Sequence, residues 1–161
     1  MSRKSGIIAV ILGILFCGAA WAQATRSGSL TKLQVAEETQ VQLPIKQLFL
    51  GMKSGDSSSV RSAFAPGSRL ETITKDKEGR TMVKNTDLKQ FFATIGNQPA
   101  GALDERLAGM EIKIDGEMAT AWTPYEFWFK GQFSHRGVNA FQLVKLADGW
   151  KIWSIIDTRR R

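Results

Sequence analysis

Apolar residues recur along the chain with two different periods, and the change of period divides it. From Pro44 onward Ile45, Leu48, Phe49 and Met52 stand at i, i+3, i+4 and i+7, one face of a helix that Gly55 is placed to stop. Asp56 can cap a short second helix from Ser57 to Phe64, which Ala65-Pro66-Gly67 ends. Arg69 to Thr74 and Arg80 to Lys84 are short runs with Val, Ile and Thr joined by a charged turn, and predict an edge hairpin. A third helix capped by Asn85 or Thr86 follows, with Leu88, Phe91, Phe92 and Ile95 on one face and Gly96 as its stop. Asn97 to Asp104 is a predicted loop, with Asp104, Glu105 and Arg106 as a charged cluster, and Leu107 to Ile114 a predicted strand ending at the turn Asp115-Gly116.

From Ala119 the period falls to two. Three runs rich in aromatic and β-branched residues are separated by Lys130-Gly131 and Asp148-Gly149, which predicts an antiparallel meander. The runs far exceed the typical strand of about five or six residues, so the sheet should curve, and Pro124 and Gly137 sit where a long strand could bend or bulge. A curved sheet has a concave face that can form a pocket. Helix, helix, two strands, helix, four strands is the order of an α+β domain with its helices gathered on one face of the sheet.

Alternation assigns side chains to faces, subject to reversal by any bulge. His135, Gly137, Asn139, Phe141 and Leu143 share one face, read as concave because Phe141 and Leu143 are the larger core fillers. In the preceding strand Ala119, Ala121, Thr123, Tyr125, Phe127 and Phe129 line up, small residues giving way to aromatic ones as in a tapering cavity. In the last strand Trp150, Ile152, Ser154 and Ile156 fall on one face and Lys151, Trp153, Ile155 and Asp157 on the other.

The N-terminal residues change this picture. Arg3 and Lys4, the apolar run Gly6 to Phe16 and Ala20-Trp21-Ala22 are the three parts of a secretory signal peptide, assigned to residues 1–22. The apolar run falls short of the roughly 20 residues of a spanning helix, so the mature chain is expected from Gln23, periplasmic or secreted, with no stable membrane anchor. Gln23 to Thr39 is polar and reads as a flexible segment before a single domain over residues 40–161. Cleavage would remove Cys17, the one cysteine of the 161-residue chain, and with it any disulfide or thiol chemistry. Of 22 Lys and Arg, 20 then remain against 15 Asp and Glu, a net charge of +5. The excess is partly the terminal run Arg159-Arg160-Arg161 and otherwise scattered, so nucleic acid is not an expected partner.

His135 is the one histidine and the one side chain that titrates near neutral pH without a large shift. Facing a cavity, it can act as general acid or base with Asp157 or Tyr125 beside it, or make a polar contact to a ligand. Alternatively it bonds backbone at a strand end. Trp122, Tyr125 and Phe127 are candidates for stacking on a flat ligand, with Asn139 as a further polar contact, although aromatic residues at alternate positions are first of all core. Asp157 can equally pair with Arg159 or Arg160. One histidine, no mature cysteine and no close acidic cluster leave too few ligands for a metal, and without a Gly-rich phosphate loop or nucleophile elbow no cofactor is expected.

Three stretches, KSGDSSSVRSAFAPGSRL, TDLKQFFATI and DGEMATAWTPYEFWFKGQFSHRGVNAFQLVKLADGWKIWSIIDTRR, resemble the nuclear transport factor 2-like superfamily. Within it they are most similar to a bacterial group labelled putative lumazine-binding, from about Gln42 to Arg160. The resemblance implies a cone-like, strongly curved mixed or antiparallel sheet packed on three N-terminal helices around a cavity, often in a homodimer that pairs through the outer sheet face. It implies no single activity, since similar folds serve as cofactor-free ketosteroid isomerases, dehydratases, cyclases and epoxide hydrolases beside plain binding modules. Three functions are therefore expected in order: a module binding a small apolar or aromatic molecule; a cofactor-free isomerase, dehydratase or cyclase using His135; and a dimerising domain whose outer face includes Trp128 and Trp153.

Overall fold

A computed structural model describes residues 31–161. The predicted signal peptide and the first part of the predicted flexible segment lie outside them. The remainder of that segment is helical, since α1 runs from Lys32 to Ser54. Apolar periodicity misses its first turns because they bury nothing, but two local signals carry them. Lys, Leu, Gln, Ala and Glu are good helix formers, and Thr31 with Gln34 makes a reciprocal capping box in which each side chain accepts from the other's backbone N–H. Glu37 then ties this half of the helix to the sheet by accepting from Lys145 Nζ at 2.8 Å and Trp150 Nε1 at 2.9 Å. Pro44 consequently lies inside the helix rather than in its first turn; the bond that it cannot make falls at exposed Gln40, whose carbonyl solvent can serve.

From Val41 onward α1 buries the predicted stripe, Ile45, Leu48, Phe49 and Met52, and Gly55 ends it in the left-handed region at φ 75°. Asp56 caps α2 (Ser57–Ser62) by accepting from the N–H groups of Ser58 and Ser59. β1 (Phe64–Lys75) and β2 (Thr81–Thr86) form the predicted hairpin, longer than expected because β1 already begins at Phe64. Asp87, rather than Asn85 or Thr86, caps α3 (Leu88–Gly96).

The largest departure comes next. A loop to Asp104 and one strand from Leu107 to Ile114 were expected; two strands form instead, β3 (Leu103–Leu107) and β4 (Glu111–Asp115). Both pair with the same edge of β5 (Met118–Phe129), β4 along its first half and β3 along its second. The break between them falls at Pro124, whose carbonyl accepts from Ala108 N at 2.8 Å. A proline has no N–H for an edge partner, so the ladder parts where the sequence gives it nothing to bond.

β5, β6 (Gln132–Leu146) and β7 (Gly149–Arg160) form the predicted meander. Lys130 and Gly131 turn the first hairpin, both at positive φ. The sheet has the order β2-β1-β7-β6-β5-β3, with β4 beside β3 on β5; β1 and β7 are its parallel pair and the rest is antiparallel. A register shift at Gln142/Leu143 steps past Trp153 on β7, so Ile152 and Ile155 both point to the core. The bulge therefore brings Ile155 and Asp157, which simple alternation groups with Lys151 and Trp153, to the inward side that carries Trp150 and Ile152. The core joins α1, Val60, Phe64, Phe92 and Ile95 to Phe141, Leu143, Trp150, Ile152 and Ile155 on the concave face.

Candidate functional site

The core does not fill the concave face completely. Between α1, α3 and the wide end of the sheet lies a cavity of about 180 Å³. Leu48, Phe49 and Met52 of α1, Phe91 and Ile95 of α3, and Leu70, Phe127, Phe141 and Ile155 of the sheet make its apolar walls. Its polar wall is Glu105, Tyr125, His135, Asn139, Asp157 and Arg159, brought together from β3, β5, β6 and β7.

Gly137 makes this wall possible. It pairs with Tyr125 on one side and Arg159 on the other, and a Cβ there would stand 1.8 Å from Thr158 O and 2.9 Å from Tyr125 Cε1. Without a side chain on β6 to cross, the Tyr125 ring reaches β7. Its hydroxyl lies 3.0 Å from Asp157 Oδ2 and 3.1 Å from Thr158 O, which share its one proton. Arg159 Nε donates to the same Asp157 Oδ2 at 2.9 Å, and Arg159 Nη2 to Thr72 Oγ1 at 3.2 Å. Asp157 Oδ1 is sealed from solvent and accepts no hydrogen bond. Burial, and then the Asp157 carboxylate, push the Tyr125 phenol well above its usual range, so it stays a neutral donor.

Glu105 stands on β3 opposite Phe127 and accepts from Asn139 Nδ2 at 2.8 Å. Burial raises its carboxyl to about 7, the Asn139 bond opposes the shift, and the Asp157 charge adds to it. His135 packs its ring 5.1 Å from that of Phe127 and 5.8 Å from that of Tyr125. Burial first and the Arg159 charge second lower its pKa, which keeps the imidazole neutral. Its Nδ1 is 3.0 Å from Ser134 Oγ, with the roles of the two atoms set by the tautomer.

Of the residues singled out in the sequence, Tyr125, Phe127, His135, Asn139 and Asp157 share this cavity. Trp122 does not. It is 53% exposed on the outer face, one residue out of phase with Thr123 and Tyr125, so it cannot stack on anything held inside. The expected pairing of His135 with Asp157 or Tyr125 is also not made as a hydrogen bond: Asp157 is engaged by Tyr125 and Arg159, and His135 meets Tyr125 ring to ring. The Asp157–Arg159 pair is present, but its carboxylate is buried rather than on the surface. Glu105 is the residue that sequence reasoning missed by assigning it to a charged loop. Its signal was legible, because Leu103, Glu105 and Leu107 alternate and place a carboxylate on an apolar strand face. Among the described residues no three His, Cys, Asp or Glu side chains are grouped to hold a metal ion, and no helix is long and apolar enough to cross a membrane.

A curved seven-stranded sheet closed by helices over a half-polar cavity is the nuclear transport factor 2-like, cystatin-like arrangement. Solved structures agree. An NTF2-like protein of unknown function from Shewanella baltica superposes with a TM-score of 0.61 at 20% identity, over 83% of this chain and 99% of that one. A cystatin-like-fold protein from Nostoc punctiforme gives 0.60 at 14%, over 83% and 96%. A protein from Streptomyces avermitilis described as a putative dehydratase of the NTF2-like family gives 0.60 at 16%, over 79% and 97%. Identities this low show the fold alone. Residues 36–155 match the model of the family described as "Putative lumazine-binding", and the chain belongs to that family. No curated protein matches it.

Proposed function

We propose that the protein is an exported module that binds a small organic molecule in the cavity between α1, α3 and the concave face. The observation that supports this best is a space of about 180 Å³ with aromatic walls and a single polar side, which the chain's own side chains leave open. A dry cavity of about 150 Å³ takes up benzene, so this one suits a single aromatic ring with a polar substituent. The lumazine of the family's description is a fused two-ring compound, larger than the single ring that this volume encloses. Native mass spectrometry of the protein purified from its own source, with no ligand added, should reveal a co-purifying small molecule. An empty protein that also takes up no aromatic compound at millimolar concentration would overturn the proposal.

The polar wall favours a second reading, a cofactor-free isomerase, dehydratase or cyclase in which Glu105 rather than His135 moves the proton. A carboxyl held at about 7 is matched to accepting and returning a proton at neutral pH. Once a substrate is in hand, Glu105→Gln should lower kcat about 10²- to 10⁴-fold with little change in binding; undiminished turnover sinks this reading. For the partner, we propose a homodimer formed through the outer sheet face, where Trp122 and Trp153 are exposed.

A further inference from the structure

The pairing register sorts the outer sheet face into rows of charge. Glu71, Ile156, Ala140, Trp122 and Glu111 stand side by side across β1, β7, β6, β5 and β4. Two residues along the strands, Arg69, Ser154, Gln142, Thr120 and Lys113 form the neighbouring row. One row thus ends in an acid on both sides and the next in a base on both sides, and the two rows together line the depression around Trp122. From strand geometry the rows lie roughly 7 Å apart and the two ends of a row roughly 19 Å apart. Among the described residues none of these four charges belongs to an ion pair. The pattern continues in apolar form. Ile73, Thr158, Val138 and Pro124 follow the acidic row, and Val144 and Met118 follow the basic one.

We propose that a second copy docks on this face with the two-fold axis running across the strands, between the acidic row and the basic one. An isologous interface needs a patch that complements itself, and this rotation lays each acidic row on the partner's basic row. Glu71 then meets the partner's Arg69 and Glu111 the partner's Lys113, each contact occurring twice by symmetry. Trp122 lies over the partner's Thr120, so the two indoles meet beside the axis, while Val138 and Pro124 fall on the partner's Val144 and Met118. An axis along the strands does the opposite. It sets Glu71 on the partner's Glu111 and Arg69 on the partner's Lys113, stacking like charges. Exposed ion pairs add little affinity, but juxtaposed like charges are costly, so the rows fix orientation while Trp122 and its apolar neighbours supply the attraction. The inference rests on the homodimer reading above and gives that dimer its geometry.

Charge reversal within one row separates the two axes, because both positions are exposed and a reversed chain carries its own control. Glu111→Lys and Lys113→Glu, each alone, place like charges in contact at both symmetric positions and should weaken self-association in sedimentation about tenfold or more. An equal mixture of the two variants restores both pairs, the reversed Lys113 of one chain meeting the reversed Glu111 of the other, and should associate as tightly as wild type; this recovery also shows that both variants fold. Added salt should loosen the wild-type dimer. A dimer that ignores both substitutions, or that Glu111→Lys tightens as the axis along the strands requires, overturns the inference and leaves the homodimer standing. Wild type that sediments as a monomer at every concentration removes the homodimer reading and the inference together.

Discussion

β5 and β6 carry two surfaces with similar residues and opposite fates. On the inner side Thr123 and Tyr125 are 0% and 3% exposed; on the outer side their neighbour Trp122 is 53% exposed. The outer depression around Trp122 is also the larger space, about 520 Å³ against about 180 Å³ inside. Size does not make it the better site. Arg69, Glu71, Glu111 and Lys113 border it and stay in contact with solvent, so their charges are screened. Inside, two carboxyl groups, one phenol and one guanidinium meet beside apolar walls, where each unmet bond has a cost. Burial, not volume, turns side chains into chemistry.

The difference is broken most severely at Gly137. A methyl group there meets the backbone oxygen of Thr158, which no side-chain rotation can relieve, so β6 and β7 must separate. Gly137→Ala should destabilise the protein by about 3 kcal/mol or more in urea unfolding and displace the Tyr125 ring, visible as a changed tyrosine environment. A variant of wild-type stability would mean that the inner wall does not depend on this close approach.

Much of this was readable in advance, and the misreadings have physical causes. Alternation placed Tyr125, Phe127, His135 and Asn139 on one face because β5 and β6 run through that region without an intervening slip. It grouped Asp157 with Ile155, as found, but also with Lys151 and Trp153, because the shift opposite Trp153 is a property of strand pairing, which no single strand records. Trp122 was included as an aromatic residue although its phase already excluded it. Helix α1 was started at Pro44 because Lys32 to Gln40 buries no stripe, and its cap and its Glu37 contacts lie outside what hydrophobic periodicity can report. Three consecutive charges read as a loop, which hides Glu105; in the strand Asp104 pairs with Lys53 and Arg106 while Glu105 lines the cavity.

The Glu105 carboxyl gives the next largest effect, and its sign is fixed. Its folded pKa of about 7 lies above the usual 4.5, so folding is undisturbed below 4.5, where both states are protonated. Stability is lost as pH rises through 7, because the folded state must then bury a charge that the unfolded chain hydrates. Glu105→Gln should therefore be more stable than wild type by about 1–3 kcal/mol at pH 8 and nearly equal to it at pH 4. Thermal unfolding at the two pH values measures this, and a constant difference would place the Glu105 charge in solvent. Tyr125→Phe comes next. It keeps the ring over Gly137 but withdraws a donor from Asp157, and should destabilise by about 1–2 kcal/mol without altering the pH profile of Glu105 as strongly as its own replacement does.

The smallest expected effect belongs to the outer face and tests whether that face is idle. Trp122 pairs with Ala140 and Glu111 across the sheet, and its ring lies on the surface, so in a monomer Trp122→Gln should change stability by less than about 0.5 kcal/mol. A homodimer through this face reverses the expectation. The same substitution would then remove a large apolar contact near the centre of an interface, where truncating tryptophan typically costs about 2 kcal/mol or more, and dissociation would shift by about 30-fold. Sedimentation of wild type and variant over a hundredfold range of concentration distinguishes the cases. If both sediment as monomers, the exposed tryptophan is an unpaired surface residue and function is confined to the inner wall. If wild type is dimeric and the variant dissociates, the two faces of one sheet divide the work, association outside and ligand binding inside.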